Sequence, residues 1–105
     1  MNLLFVCSRN QWRSPTAEAI YKNRNGIFAK SAGTELSART RINAKHIEWA
    51  DLIFVMEKKH KQRIQEKFFD ELQGKTIYIL DIPDDYQLMD PDLIEIIESS
   101  VEQYL

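Results

Sequence analysis

The chain has 105 residues and a formal charge of −2, with 44% hydrophobic and 29% charged side chains and only three glycines and three prolines. Those figures describe one globular domain over 1–105, with too little length for a second domain and little scope for linker or disordered tail. The acidic balance argues against a nucleic-acid partner, and "MNLLFVC", which has no charged leader and is soon interrupted by Arg9, leads us to expect no membrane partner and a cytoplasmic location.

In chain order, "NLLFV" at 2–6 is a nearly continuous apolar run, the pattern of a strand buried on both faces of a parallel sheet. "SPTAEAIYKNR" at 14–24 sets Ala17, Ile20 and Tyr21 at helical spacing, with Ser14 as N-cap and Pro15 at the first helical position. A strand-like stretch at 27–33, a helical one at 41–50 and the apolar run "DLIFVM" at 51–56 follow. The helical pattern at 57–72 opens with the basic run "EKKHKQR" at 57–63, which reads as a solvated helix face. "TIYIL" at 76–80 is a fourth strand. The tail at 90–105 starts a last helix with Asp90 before Pro91, and places Leu93, Ile96, Ile97 and Val101 on one stripe. Strands alternating with helices imply right-handed βαβ units. The expected fold is a doubly wound α/β three-layer sandwich, with a four-stranded parallel sheet and helices on both faces.

The single cysteine, Cys7, falls at the C-terminal end of the first strand, on the edge where open parallel sheets hold ligands. It has no partner for an intrachain disulfide. With only the widely spaced His46 and His60 beside it, it also makes a poor metal site, so neither metal nor other cofactor is expected. The segment 8–13 joins strand to helix, and a short loop of this kind turns backbone N–H groups toward one point, where the helix N-terminus adds to an anion site. Arg13 at its far end offers a planar guanidinium to two oxygens of a phosphate. Such positive potential favours the nucleophilic thiolate, to which Ser14 can donate its hydroxyl. By itself, a cysteine at a strand end is ordinarily a small buried hydrophobe. Joined to Arg13 and Ser14, between a strand and a Ser-Pro helix start, it becomes a nucleophile beside an oxyanion cradle and a charged clamp. The chemistry this suggests is attack by sulfur on phosphorus.

"FVCSRNQWRSPTAEAIY" resembles the opening of the low-molecular-weight protein tyrosine phosphatases, whose signature is a cysteine, five residues and then Arg-Ser-Pro after an apolar strand. "SAGT" at 31–34 is similar to the family's second-strand segment, "ADLIFVMEKKH" at 50–60 to its third strand and next helix, and "DIPDDY" at 81–86 to its acid loop. The resemblance implies a cysteine-dependent phosphomonoester hydrolase acting through a phosphocysteine on phosphotyrosine proteins or a small aryl phosphate. It makes Cys7 the nucleophile, Arg13 the phosphoryl clamp, and the backbone of Ser8, Arg9, Asn10, Gln11, Trp12 and Arg13 the cradle. Asn10 would brace the loop and Ser14 support the thiolate. Asp84 matches the general acid, with Asp81 and Asp85 as competitors and a plain turn residue after Pro83 as the alternative.

The chain departs from that pattern at Arg9, where the family usually has glycine, which bears on the loop's shape. Trp12 stands where many members carry a second cysteine, and Asp85 stands in place of proline. The segment 35–49 is shorter than the family's, which forms one wall of the substrate crevice. Trp12 and Tyr86 are the candidates to replace that wall, with ordinary packing as the alternative for both. Other functions share such a loop. A phosphate-recognition module with little turnover is motivated by Arg9 and Asp85. A thiol-coupled arsenate reductase needs further cysteines, which this chain lacks, and a sulfurtransferase is disfavoured by Arg-Ser-Pro.

Overall fold

Strand β1 (Asn2–Cys7) runs through the middle of the sheet, and its side chains alternate between two cores. The computed structural model describes residues 1–105. In chain order the other elements are α1 (Arg13–Tyr21), β2 (Phe28–Gly33), α2 (Ala44–Trp49), β3 (Leu52–Val55), α3 (Lys58–Lys67), β4 (Ile77–Ile79) and α4 (Pro91–Val101), and a 3₁₀ turn over Glu102–Tyr104 follows α4. The four strands are parallel in the order β2-β1-β3-β4. Leu3, Phe5 and Cys7 face one core with Tyr21 of α1 and Leu93, Ile97 and Val101 of α4, while Leu4 and Val6 face the other with Ile47 of α2 and Ile64 of α3. This is the doubly wound three-layer α/β sandwich expected, since strands buried on both faces demand apolar residues at successive positions. No helix is long and apolar enough to cross a membrane.

Local signals explain the helix ends and their departures from the sequence reading. Asp90 caps α4, accepting from the Asp92 N–H, with Pro91 at the first turn, as expected. Helix α2 starts later than the apolar pattern suggested, because the Asn43 side chain accepts from the His46 N–H and fixes the start at Ala44. The carbonyls at the end of α2 are closed by Lys75, whose Nζ reaches the oxygens of Ile47, Glu48 and Ala50. Ser14 is not an N-cap. Helix α1 begins at Arg13 after Trp12, which makes no capping bond, and the Ser14 hydroxyl is directed at Cys7 instead.

Candidate active site

The connections leaving β1 and β3 diverge at the carboxyl edge of the sheet, because β1 has β2 on one side and β3 on the other. Such a switch point opens a crevice. A cleft of about 260 Å³ lies there, with Cys7 and the loop residues Ser8, Arg9, Gln11, Trp12 and Arg13 along it. Glu35, Lys59 and Asp84 complete its rim from three other segments.

The loop is held by its carbonyls. Thr34, Glu35 and Arg39 donate their N–H groups to the carbonyl oxygens of Cys7, Ser8 and Arg9, each at 3.0 Å. No N–H from Ser8 to Arg13 donates to a backbone acceptor. The left-handed residue of the loop is Asn10, at φ 56°, and not Arg9. Asn tolerates that region better than most side chains, so arginine at position 9 imposes no backbone strain. The Arg9 side chain points outward and pairs with Glu35 at 3.5 Å.

Beneath the loop, Asn10 Nδ2 donates to Ser14 Oγ at 2.9 Å, and Cys7 Sγ lies 2.9 Å from the same oxygen. With its lone pair engaged by Asn10, Ser14 has one proton to give. The sulfur is nearer than the Ala32 carbonyl at 3.4 Å, so Ser14 donates to Cys7.

Arg13 is 2% exposed, and the loop after β3 and the segment after β4 orient it. Its Nη1 donates to Glu57 Oε2 at 2.5 Å and to the Ile82 carbonyl at 2.8 Å, while Nε lies 3.7 Å from Asp84 Oδ1. The edge formed by Nε and Nη2 makes no hydrogen bond within the protein, and it is the edge a guanidinium uses to fork two oxygens. Burial tends to raise the Glu57 carboxyl, but the hydrogen bond and charge of Arg13 outweigh it and hold it below its ordinary value.

The basic run at 57–63 is not simply a solvated face. Lys58, Lys59 and Arg63 are exposed, but His60 is fully buried, with its Nε2 2.8 Å from Ser8 Oγ and its Nδ1 accepting from the Glu57 N–H at 3.0 Å. Burial, helped by the nearby Arg13 charge, lowers His60 to about 4, so the ring is neutral. Glu57 and His60 went unnoticed in the sequence as site residues. The only signal was their three-residue spacing after an apolar strand, which marks a helix start and says nothing of the loop it faces.

Of the competing acids, Asp84 stands on the cleft, 61% exposed, whereas Asp81 and Asp85 do not line it. Trp12 is 43% exposed on the rim. Tyr86 is no wall of the cleft. It packs against the core cluster of Phe5, Leu93 and Ile97, where its ring finds more apolar surface than the rim offers.

No protein-family model matches the sequence. A protein-arginine-phosphatase of Geobacillus stearothermophilus is 32% identical over 98 residues, a match covering 70% of this chain and 66% of the relative. The chain thus spans just under two thirds of that relative's length. The low-molecular-weight phosphotyrosine phosphatase of Vibrio cholerae O395 superposes with a TM-score of 0.77 at 19% identity, over 99% of this chain and 96% of that one. The tyrosine phosphatase Wzb of Escherichia coli K30, in complex with phosphate, gives 0.73 at 19% identity, over 98% and 94%. The chain has the fold of the low-molecular-weight protein tyrosine phosphatases. The segment 35–49 clamps the loop through the N–H groups of Glu35 and Arg39.

Proposed function

We propose that the protein is a cysteine-dependent phosphatase acting on phosphorylated protein. The observation that carries the reading is the loop itself. Its N–H groups from Ser8 to Arg13 are free of backbone acceptors, and Cys7 Sγ and the open edge of Arg13 share its cleft. The Cys7 thiolate attacks phosphorus. An S–P bond forms as the bond to the leaving group breaks, and the N–H groups and Arg13 hold the phosphoryl oxygens as charge spreads over them. Asp84, protonated, gives its proton to the leaving oxygen. It then takes one from the water whose oxygen attacks the phosphocysteine, and sulfur departs again as thiolate. The positive charge this chemistry requires comes from Arg13 and the amides, so the reaction calls for no metal.

Phosphotyrosine is the residue favoured by the Trp12 face beside the cleft, which suits an aromatic leaving group. Phosphoarginine is the second reading. The Geobacillus stearothermophilus relative supports it, and so do the Glu35 and Asp84 carboxylates, which would face a guanidinium.

Turnover of para-nitrophenyl phosphate with chelator present, measured for wild type, Cys7→Ser, Asp84→Asn and Asp85→Asn, tests the mechanism. Activity abolished by Cys7→Ser and reduced about a hundredfold by Asp84→Asn alone supports it. Loss through Asp85→Asn instead moves the acid by one residue. An inert wild type that binds phosphate makes the protein a phosphate-recognition module. Phosphotyrosyl and phosphoarginyl forms of one peptide, compared by kcat/KM, decide the substrate.

A further inference from the structure

We infer that His60 is a positioning residue for the phosphoryl site. Its ring N–H fixes the Ser8 hydroxyl so that Ser8 presents its own proton to a phosphoryl oxygen in the cleft. The inference deepens the phosphatase reading above and rests on it.

The Glu57 N–H donates to Nδ1 of His60 at 3.0 Å, so Nδ1 carries no proton. The ring is neutral, as its burial beside Arg13 requires, and its single proton is therefore on Nε2. Nε2 lies 2.8 Å from Ser8 Oγ, which must accept. Ser8 Oγ makes no other hydrogen bond in the protein, yet the residue is 8% exposed and lines the cleft. Its hydroxyl proton thus has the cleft as its outlet. A neutral O–H donor there adds to the charged clamp of Arg13 without adding charge.

Capping alone does not explain His60. His46 occupies the same position in α2, its Nδ1 accepting from the Asn43 N–H at 3.0 Å, but it is only partly buried and its ring makes no hydrogen bond to a side chain. His60 differs in being buried and in reaching Ser8. Glu57 binds Arg13 through its carboxylate and His60 through its N–H, so the start of α3 sets both the clamp and the hydroxyl.

Inorganic phosphate binding by calorimetry, for wild type, Ser8→Ala, His60→Gln and the double variant, tests this independently of turnover. Glutamine can still accept the Glu57 N–H and preserve the helix start, while losing the reach to Ser8. Phosphate should bind about tenfold more weakly to Ser8→Ala and several-fold more weakly to His60→Gln, and the double variant should be no weaker than Ser8→Ala. Wild-type affinity in both single variants, or losses that multiply in the double, overturns the inference and leaves the phosphatase reading intact. A wild type that neither binds phosphate nor turns over substrate overturns both. Nitrogen-15 NMR of the wild-type ring needs no variant. The Nε2–H tautomer supports the assignment, and an Nδ1–H tautomer refutes it.

Discussion

Gly33 lies so close beneath the loop that a β-carbon on it would stand 2.6 Å from the Ser8 carbonyl oxygen and 3.0 Å from the Asn10 nitrogen. Both are backbone atoms, so no side-chain rotation relieves the contact. The carbonyl beside it belongs to the set that tethers the loop, and its displacement would turn the N–H groups away from the phosphoryl position. Gly33→Ala is expected to cost about 1–3 kcal/mol of stability. It should also lower kcat/KM on para-nitrophenyl phosphate by about a hundredfold, the usual effect of a misplacement of roughly 1 Å. Denaturant midpoints and steady-state kinetics measure the two effects, and wild-type values for both would contradict the close packing.

Arg13 and Glu57 form an ion pair whose cationic half is almost wholly buried. Removing the carboxylate leaves that guanidinium with the Ile82 carbonyl alone at Nη1. Because Glu57 is partly solvated, Glu57→Ala should destabilise by about 2 kcal/mol, less than the loss of a partner from a fully buried pair. An anion in the cleft would replace part of the missing charge. Phosphate should therefore raise the thermal midpoint of Glu57→Ala more than that of the wild type. Equal phosphate-induced shifts in the two proteins would show that Glu57 does not restrain Arg13.

The four strands, the order of elements and the role of 8–13 as a strand-to-helix loop were legible because they are written locally. Continuous apolar runs mark strands buried on both faces, and Cys7, Arg13 and Ser14 are close in sequence. What could not be read depends on which strands become neighbours. Glu57 and His60 reach Arg13 and Ser8 only because β3 pairs with β1, and the Ile82 carbonyl reaches Arg13 because β4 pairs with β3. No periodicity in 57–63 distinguishes a buried histidine from a solvated one. Ser14 was misread as a cap for a related reason. Serine before a helical run caps in most settings, but here a sulfur 2.9 Å away and the Asn10 amide take its hydroxyl.

His60 also makes stability depend on pH. The unfolded ring titrates near its ordinary value of 6.5, and the folded ring at about 4. Between those values the unfolded chain binds a proton that the folded chain excludes, so stability falls as pH drops through that window and levels off below it. The loss attributable to this one group is on the order of 3 kcal/mol. Glu57, held below its ordinary value, acts with the same sign, so the wild-type curve contains both. Denaturant midpoints from pH 7 to pH 4 should decline less steeply for His60→Gln than for wild type. Parallel curves would mean that His60 charges freely in the folded protein.

Cys7 is the sole cysteine, and Trp12 lines the same cleft. Peroxide converts a thiolate to a sulfenic acid, the peroxide being reduced to water. A neighbouring thiol would then condense with the sulfenic acid to a disulfide and halt the sequence. This chain offers none, so a second peroxide carries Cys7 on to the sulfinic acid, which ordinary thiols do not reduce. Activity restored by dithiothreitol should therefore fall steadily with exposure time, matched by a growing mass species with two added oxygens on the Cys7 peptide. Phosphate bound over the sulfur should slow both changes. Trp12→Cys should make the inactivation largely recoverable by supplying the missing thiol. Full recovery of the wild type after sustained exposure would mean that the closed loop itself shields the sulfenic acid from further attack.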